Sequence, residues 1–278
     1  MTTIAEILRQ APLLAEVSDS PRLDVELFLC DVLGKDRTWL FTWSDKSLSP
    51  EQLAQFESLF ERRKTGEPVA YILGQREFWS LPIKVSPATL IPRPDTELLV
   101  ETALSLNLPN DARVLDLGTG TGAIALALAS EKEQWHISGV DYSEAAVQLA
   151  TENAEALGLS QVQFFQSDWF TAVGGNEQYH LILSNPPYID SADPHLEQGD
   201  VRFEPSSALV AENNGFADIE KIIADSKDFL MPGGWLAFEH GWQQGEGVRE
   251  RLKTAGFTDV KTLKDLGGNE RVTLGTQG

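Results

Sequence analysis

The sequence predicts an α/β fold, a mostly parallel sheet with helices on both faces, preceded by a separate helical unit. Three observations carry that expectation. From Pro94 onward short apolar runs alternate with amphipathic stretches of helical period; four successive apolar runs end at a polar tip; and the stretch before residue 75 carries helix start and stop signals. Strand, helix, strand repetition specifies parallel strands whose crossovers cover both faces. A chain of 278 residues has room for two domains. The expected division is a helical domain over 1–74, a β-hairpin linker over 75–93 and a sheet domain over 94–278.

In the first domain, Ser20-Pro21 supplies a cap and an N1 proline for a helix that Gly34 can end, with Leu23, Leu27, Cys30 and Val32 on its apolar sides. Ser49-Pro50 repeats that start before Leu53, Phe56, Leu59, Phe60 and Arg63, which keep helical spacing up to Gly66. Between them Trp39-Leu40-Phe41-Thr42-Trp43 is expected to seal the small core, ahead of a role as a contact surface. After Gly74 the stretch REFWSLPIKVSPATLIPRP is broken by Pro82, Pro87, Pro92 and Pro94, which suits a short hairpin and linker.

Strands are expected near 112–116, 136–140, 161–165, 179–184, 234–239, 258–263 and 270–274. Helices are expected near 94–106, 121–130, 143–157, 214–230 and 246–255. The last two strands are joined by the short KDLGGN, too brief for a crossover helix, so they must be antiparallel.

Composition narrows the function. The formal net charge is −20, from 22 basic and 42 acidic residues. Non-specific affinity for nucleic acid rests on neutralising phosphates with Lys and Arg, so stable nucleic-acid binding is not expected. No signal peptide or membrane span is readable at the start, which makes the cytoplasm the default. The single Cys30 sits among Leu27, Phe28 and Leu33 and reads as a buried small hydrophobe, and no His/Cys spacing resembles a zinc site. No metal is expected.

In VLDLGTGTG the first strand stops at Asp116, and Gly118, Gly120 and Gly122 follow with Thr119 and Thr121 between them. Glycine lets a ligand approach the backbone, and the helix starting near Gly122 aims unpaired N–H groups at the same space. The spacing GxGxG departs from the dinucleotide fingerprint GxGxxG. A carboxylate at Asp116 would repel a pyrophosphate but pair with the amino end of S-adenosyl-L-methionine, so charge favours the sulfonium cofactor. Asp141 ends the second strand, where an acidic residue can accept from ribose hydroxyls; helix capping before Tyr142-Ser143-Glu144 competes with that role. Asp168 and Trp169 follow the third strand, suited to an adenine amino group and ring.

The fourth polar tip opens Asn185-Pro186-Pro187-Tyr188. The Asn185 side-chain oxygen and the Pro186 carbonyl can each accept one N–H of a planar NH2, the prolines stiffen the loop, and Tyr188 can lie against a flat amide or base. Methyl transfer to an amide or an exocyclic amine nitrogen follows as the expected reaction. An adenine-N6 methyltransferase, and a cofactor-binding protein that regulates or scaffolds translation, are the competing readings.

The chain resembles the bacterial protein-(glutamine-N5) methyltransferases of peptide chain release factors. The matching segments are GEPVAYILGQREFWSLPIKVSPATLIPRPDTELLV, VLDLGTGTGAIALALA, VDYSEAAVQLATENA, LILSNPPYI, FEPSSALVAENNG and DLGGNERVT, spread over nearly its full length. The resemblance implies a helical bundle joined through a hairpin to a class I methyltransferase domain, a Rossmann-like seven-stranded sheet with its last strand antiparallel. It implies transfer from S-adenosyl-L-methionine, with S-adenosyl-L-homocysteine as product, to the glutamine of the Gly-Gly-Gln tip of class I release factors, which the bundle helps dock. On this sequence Asp116, Gly118, Thr119, Gly120, Gly122, Asp141, Tyr142, Asp168, Trp169 and Asn185 would hold the cofactor. Asn185, Pro186, Pro187 and Tyr188 would hold the glutamine amide, and Arg93 with Phe203, Glu204 and Pro205 would border the site.

Overall fold

The structure, a computed structural model, describes residues 2–278. The chain divides into two compact units. One comprises the residues up to Gln75 with Pro194–Phe203, and the other Arg76–Asp193 with Glu204–Gly278.

The first unit contains α1 (Ile4–Leu8), α2 (Pro21–Leu33), α3 (Arg37–Thr42), α4 (Pro50–Lys64) and α5 (Val69–Leu73). Ser49 and Gln52 form a reciprocal capping box at the start of α4, as the Ser-Pro start predicts. At α2 the cap differs: the Ser20 side chain makes no bond to the helix backbone, and its hydroxyl faces Asp24 at 3.4 Å instead. The buried stripe of α2 is Val25, Phe28, Leu29 and Val32, one step round the helix from the expected Leu23, Leu27 and Cys30, which are half-buried. The Cys30 thiol is pushed up by partial burial, which leaves it a poor nucleophile.

The aromatic cluster does not seal this core. It folds into α3, capped by Asp36, and helical spacing turns only Leu40 fully inward while Phe41 and Trp43 are 55% and 44% exposed. Nor does the unit end cleanly at residue 74, because Pro194–Phe203 packs with it: the buried Arg63 donates to Asp24 Oδ2 at 2.7 Å and to Asp200 Oδ1 at 3.2 Å.

β1 (Gln75–Phe78), which belongs to the second unit from Arg76 onward, and β2 (Leu81–Lys84) form the expected hairpin. Its turn residues Trp79 and Ser80 both have positive φ, and Trp79 is held there by bonds from its amide to Glu97 (2.9 Å) and from its indole to Glu131 (2.8 Å).

The remaining elements are α6 (Glu97–Ser105), β3 (Arg113–Leu117), α7 (Ala123–Glu131), β4 (His136–Asp141), α8 (Glu144–Leu157), β5 (Gln163–Gln166), β6 (Tyr179–Ser184), the single turn α9 (Glu212–Gly215), α10 (Ala217–Ser226), β7 (Leu230–Glu239), α11 (Gly245–Thr254), β8 (Phe257–Lys264) and β9 (Glu270–Gln277). The expected helix over 214–230 is interrupted and shorter, since Asn213, Asn214 and Gly215 adopt left-handed backbone angles and β7 already begins at Leu230.

The seven-stranded sheet has the order β5-β4-β3-β6-β7-β9-β8, with β9 antiparallel to both neighbours and the other pairs parallel. One apolar layer packs α6 and α7 on one face, with Phe78 and Ile83 of the hairpin; another packs Ile219, Ile222, Val248 and Leu252 of α10 and α11 on the opposite face. Successive strands run outward from β3 to β5, and β6 then returns to the other side of β3. That reversal opens a crevice at the carboxyl ends of β3 and β6, where ligands bind open α/β sheets.

Candidate active site

The crevice is a cavity of about 290 Å3. Register brings the strand ends to one rim, since Leu117 pairs with Val140 on one side and Ser184 on the other, and Asp141 pairs with Gln166. The walls include Gly118, Thr119 and Gly120 after β3, Asp141 and Tyr142 after β4, Asp168 and Trp169 after β5, Asn185 and Pro187 after β6, and Arg93 and Thr96.

The glycine turn is built from two carboxylates. Asp141 accepts from the Gly120 amide through Oδ2 and from the Ser143 amide through Oδ1, both at 2.9 Å, while Ser143 itself caps α8. Asp141 therefore ties two loops together, and burial raises its pKa. Asp116 stands behind the turn, 0% exposed and not on the cavity wall. Its Oδ2 accepts from the Thr119 hydroxyl at 2.6 Å, its Oδ1 has no hydrogen-bond partner, and burial pushes it up to about 7. Thr119 stands between Asp116 and the cavity.

Gly118 and Gly120 both have positive φ. A Cβ on Gly120 would meet nothing within 4 Å, so its missing side chain leaves open space on the cavity wall. Gly122 is not on the wall; a Cβ there would crowd Phe164 at 3.0 Å and Ala150 at 3.1 Å, which marks close packing at the start of α7. Trp169 holds an uncommon φ of 51°, fixed by the Ser167 hydroxyl donating to its carbonyl at 2.7 Å. Asp168 accepts from Lys221 at 2.8 Å, and Tyr142 is 75% exposed at the rim.

At the opposite wall Asn185 donates through Nδ2 to the Thr96 hydroxyl at 3.2 Å. Its side-chain oxygen is thereby directed away from Thr96. Pro187 lines the cavity, whereas Pro186 is buried and Tyr188 turns its hydroxyl inward to the Glu239 carboxylate at 3.4 Å. Burial drives the Tyr188 phenol well above its ordinary value. The loop's exit is pinned by reciprocal backbone bonds, Ile189 N to Leu209 O (2.9 Å) and Ala211 N to Ile189 O (3.0 Å).

The expected border is rearranged. Glu204 is buried, accepts from the Ile91 amide at 3.0 Å and pairs with Arg93, so it braces the Arg93 loop instead of facing the cavity. Ser207 and Ala208, just past Pro205, form the wall there, and Phe203 belongs to the first unit. Residues not anticipated from sequence are Thr96, Asp218 and Glu239. Glu239 carried the same signal as the other tips, a polar residue ending an apolar strand, while Thr96 and Asp218 reach the site only through helix placement. Among the described residues no cluster of His, Cys, Asp or Glu could hold a metal ion, and no helix is long and apolar enough to cross a membrane.

Comparison with known proteins agrees with this architecture. The PrmC N-terminal domain family matches residues 6–74, and the methyltransferase small domain family matches residues 94–204. Among solved structures, a methyltransferase from Pyrococcus furiosus superposes with a TM-score of 0.55 at 19% identity, over 80% of this chain and 98% of that one. The hMettl16 catalytic domain, crystallised with MAT2A 3'UTR hairpin 6, superposes with a TM-score of 0.60 at 19% identity, over 75% of this chain and 81% of that one. The fold, with its sheet order and crevice, is that of the class I methyltransferases.

Sequence relatives narrow the class. The release factor glutamine methyltransferases of Escherichia coli K12 and Aliivibrio fischeri are each 54% identical, the first over 96% of both chains and the second over 94% of this chain and 92% of its own. That of Vibrio cholerae is 56% identical over 93% of this chain and 90% of its own. This chain belongs to the release factor glutamine methyltransferase family.

Proposed function

We propose that this protein transfers the methyl group of S-adenosyl-L-methionine to the side-chain amide N5 of the glutamine in the Gly-Gly-Gln motif of class I peptide chain release factors, in the cytoplasm. The observation that carries the reading is the bond from Asn185 Nδ2 to Thr96, which commits the amide's donor end and leaves its oxygen to accept from a substrate NH2. An amide nitrogen is a poor nucleophile because its lone pair is shared with its carbonyl. Its reaction therefore depends on positioning, which a proline-stiffened, backbone-pinned loop provides with little reorganisation.

The walls fit the cofactor. Gly120 leaves room for close approach, Asp141 presents a carboxylate with lone pairs left over for ribose hydroxyls, and Trp169 offers a ring face to a purine. Bound there, S-adenosyl-L-methionine would supply a methyl group on a positively charged sulfur. Asn185 would hold the acceptor nitrogen in line with that methyl group, so that a C–N bond could replace the C–S bond while the nitrogen's proton left to solvent. Arg93, fixed by Glu204, borders the acceptor side, and the helical unit with exposed Leu13, Phe41 and Trp43 serves docking of the protein substrate. Asp116 acts through Thr119 on the shape of the turn.

The test is incubation of the purified protein with S-adenosyl-L-methionine and an intact release factor, followed by peptide mass spectrometry. One added CH2 on the glutamine of Gly-Gly-Gln is expected. Label entering RNA or DNA but no release factor would overturn the reading.

A further inference from the structure

The carboxamide of Gln244, immediately before α11, joins the turn after β7, the acceptor loop and the single turn α9. Its Oε1 accepts from the Gly241 amide at 2.9 Å, and its Nε2 donates to the Tyr188 carbonyl at 3.1 Å and to the Asn214 carbonyl at 3.3 Å. A backbone N–H can only donate and a backbone carbonyl can only accept, so turning this amide over would break all three bonds. Its orientation is forced.

Capping explains one end of the side chain only. The Gln244 amide donates to the Gly241 carbonyl at 2.8 Å, so the bond from Gly241 N to Oε1 is the returning half of a capping box at the start of α11. A glutamate would make that bond as well, and beside the positive end of a helix its charge would be favoured. The two bonds from Nε2 need N–H groups that a carboxylate lacks.

Those bonds act on the acceptor loop. The peptide joining Tyr188 to Ile189 is gripped at both of its polar groups, the carbonyl by Gln244 and the N–H by the Leu209 carbonyl at 2.9 Å. Asn213 and Asn214 take left-handed backbone angles, which asparagine tolerates better than most residues, and Gly215 follows where a Cβ would fall 2.8 Å from Nε2. The backbone of α9 is thus shaped to the glutamine that holds the loop.

We propose that Gln244 is a positioning residue for methyl transfer: by holding the Tyr188 carbonyl it sets where the loop 185–188 ends, and so where the acceptor nitrogen stands relative to the methyl donor. The inference rests on the reading of that loop as the clamp for the substrate amide. A misplacement of about 1 Å at such a clamp costs up to about 100-fold in rate.

The test compares wild type with Gln244→Glu, which keeps the cap and loses both N–H groups, and with Gln244→Met, which keeps the reach and carries no charge. Melting curves, cofactor titration calorimetry, and kcat and KM for an intact release factor are measured for each. In both variants kcat is expected to fall about 10- to 100-fold, with cofactor affinity and KM near wild type. Gln244→Glu is expected to melt close to wild type, which separates lost transfer from lost stability. Wild-type kcat in either variant, or a loss carried by KM or by cofactor affinity, overturns the inference and leaves the proposed function standing. Absence of release factor methylation by the wild type overturns both.

Discussion

Gly215 lies so close beneath the acceptor loop that a Cβ on it would fall 2.1 Å from the carbonyl oxygen of Tyr188. Its φ of +81° follows two left-handed asparagines, and Gln244 Nε2 bridges the Tyr188 and Asn214 carbonyls at 3.1 and 3.3 Å. The loop is thus supported from the side opposite the cavity. Gly215→Ala must push the loop forward and strain the backbone, at a cost of about 1–3 kcal/mol. A lower melting temperature and reduced transfer with unchanged cofactor affinity are expected; unchanged transfer would show that the loop's position does not matter.

Asn185→Ala removes the acceptor oxygen without touching the glycine turn. Cofactor affinity by calorimetry should stay near wild type, while kcat falls by about 10²–10³, the range for loss of one preorganised hydrogen-bonding group. Loss of cofactor binding with transfer would move Asn185 into the cofactor wall.

Gly120→Val places a branched side chain in open cavity at a position of positive φ. Cofactor binding should disappear, with a stability loss of about 1–3 kcal/mol from the strained backbone. Normal affinity in the folded variant would remove the cofactor from this turn.

Asp116 supplies a pH test. A carboxyl raised from its ordinary value to about 7 by burial favours the fold in its protonated form. That contribution is complete below the unfolded pKa near 3.8 and is lost as pH rises through about 7. The ligand-free protein should therefore melt at a lower temperature at pH 8 than at pH 6, and Asp116→Asn should show a smaller difference. Part of the dependence will remain in that variant, because Glu239 is raised to about 7 as well. An identical pH difference in Asp116→Asn would mean that Asp116 is ionised throughout.

Arg63 and Asp24 form a buried ion pair at 2.7 Å, and Arg63 also holds the Gly66 and Glu67 carbonyls and Asp200. Arg63→Ala strands a buried carboxylate, which costs about 3–5 kcal/mol. Protease should then cut within 194–203 faster than in wild type; equal cutting rates would mean that Asp200 contributes nothing to holding the segment.

Much of the architecture was legible along the chain. Alternation of apolar runs with helical stretches specified the parallel sheet, and the brevity of KDLGGN forced β8 and β9 to be antiparallel, because a short connection admits no crossover. The polar tips Asp141, Asp168 and Asn185 could be read as one site because parallel strands end at one edge. Local stereochemistry also named Gly120.

What the linear pattern could not give is which way each side chain turns once neighbours from distant segments arrive. Asp116, the penultimate residue of β3, and Glu239, the last of β7, are both buried behind their loops, where Asp116 meets the Thr119 hydroxyl and Glu239 the Tyr188 hydroxyl. Glu204 braces Ile91 and Arg93, 113 and 111 positions away, and Phe41 and Trp43 face outward because a helical turn has room on the core side for Leu40 alone. The period of the sequence determined the elements and the edge at which they meet, since both follow from backbone geometry and local burial. Only the tertiary structure decided which polar groups line the cavity and which support it from behind, because that depends on long-range hydrogen-bond partners that no local pattern encodes.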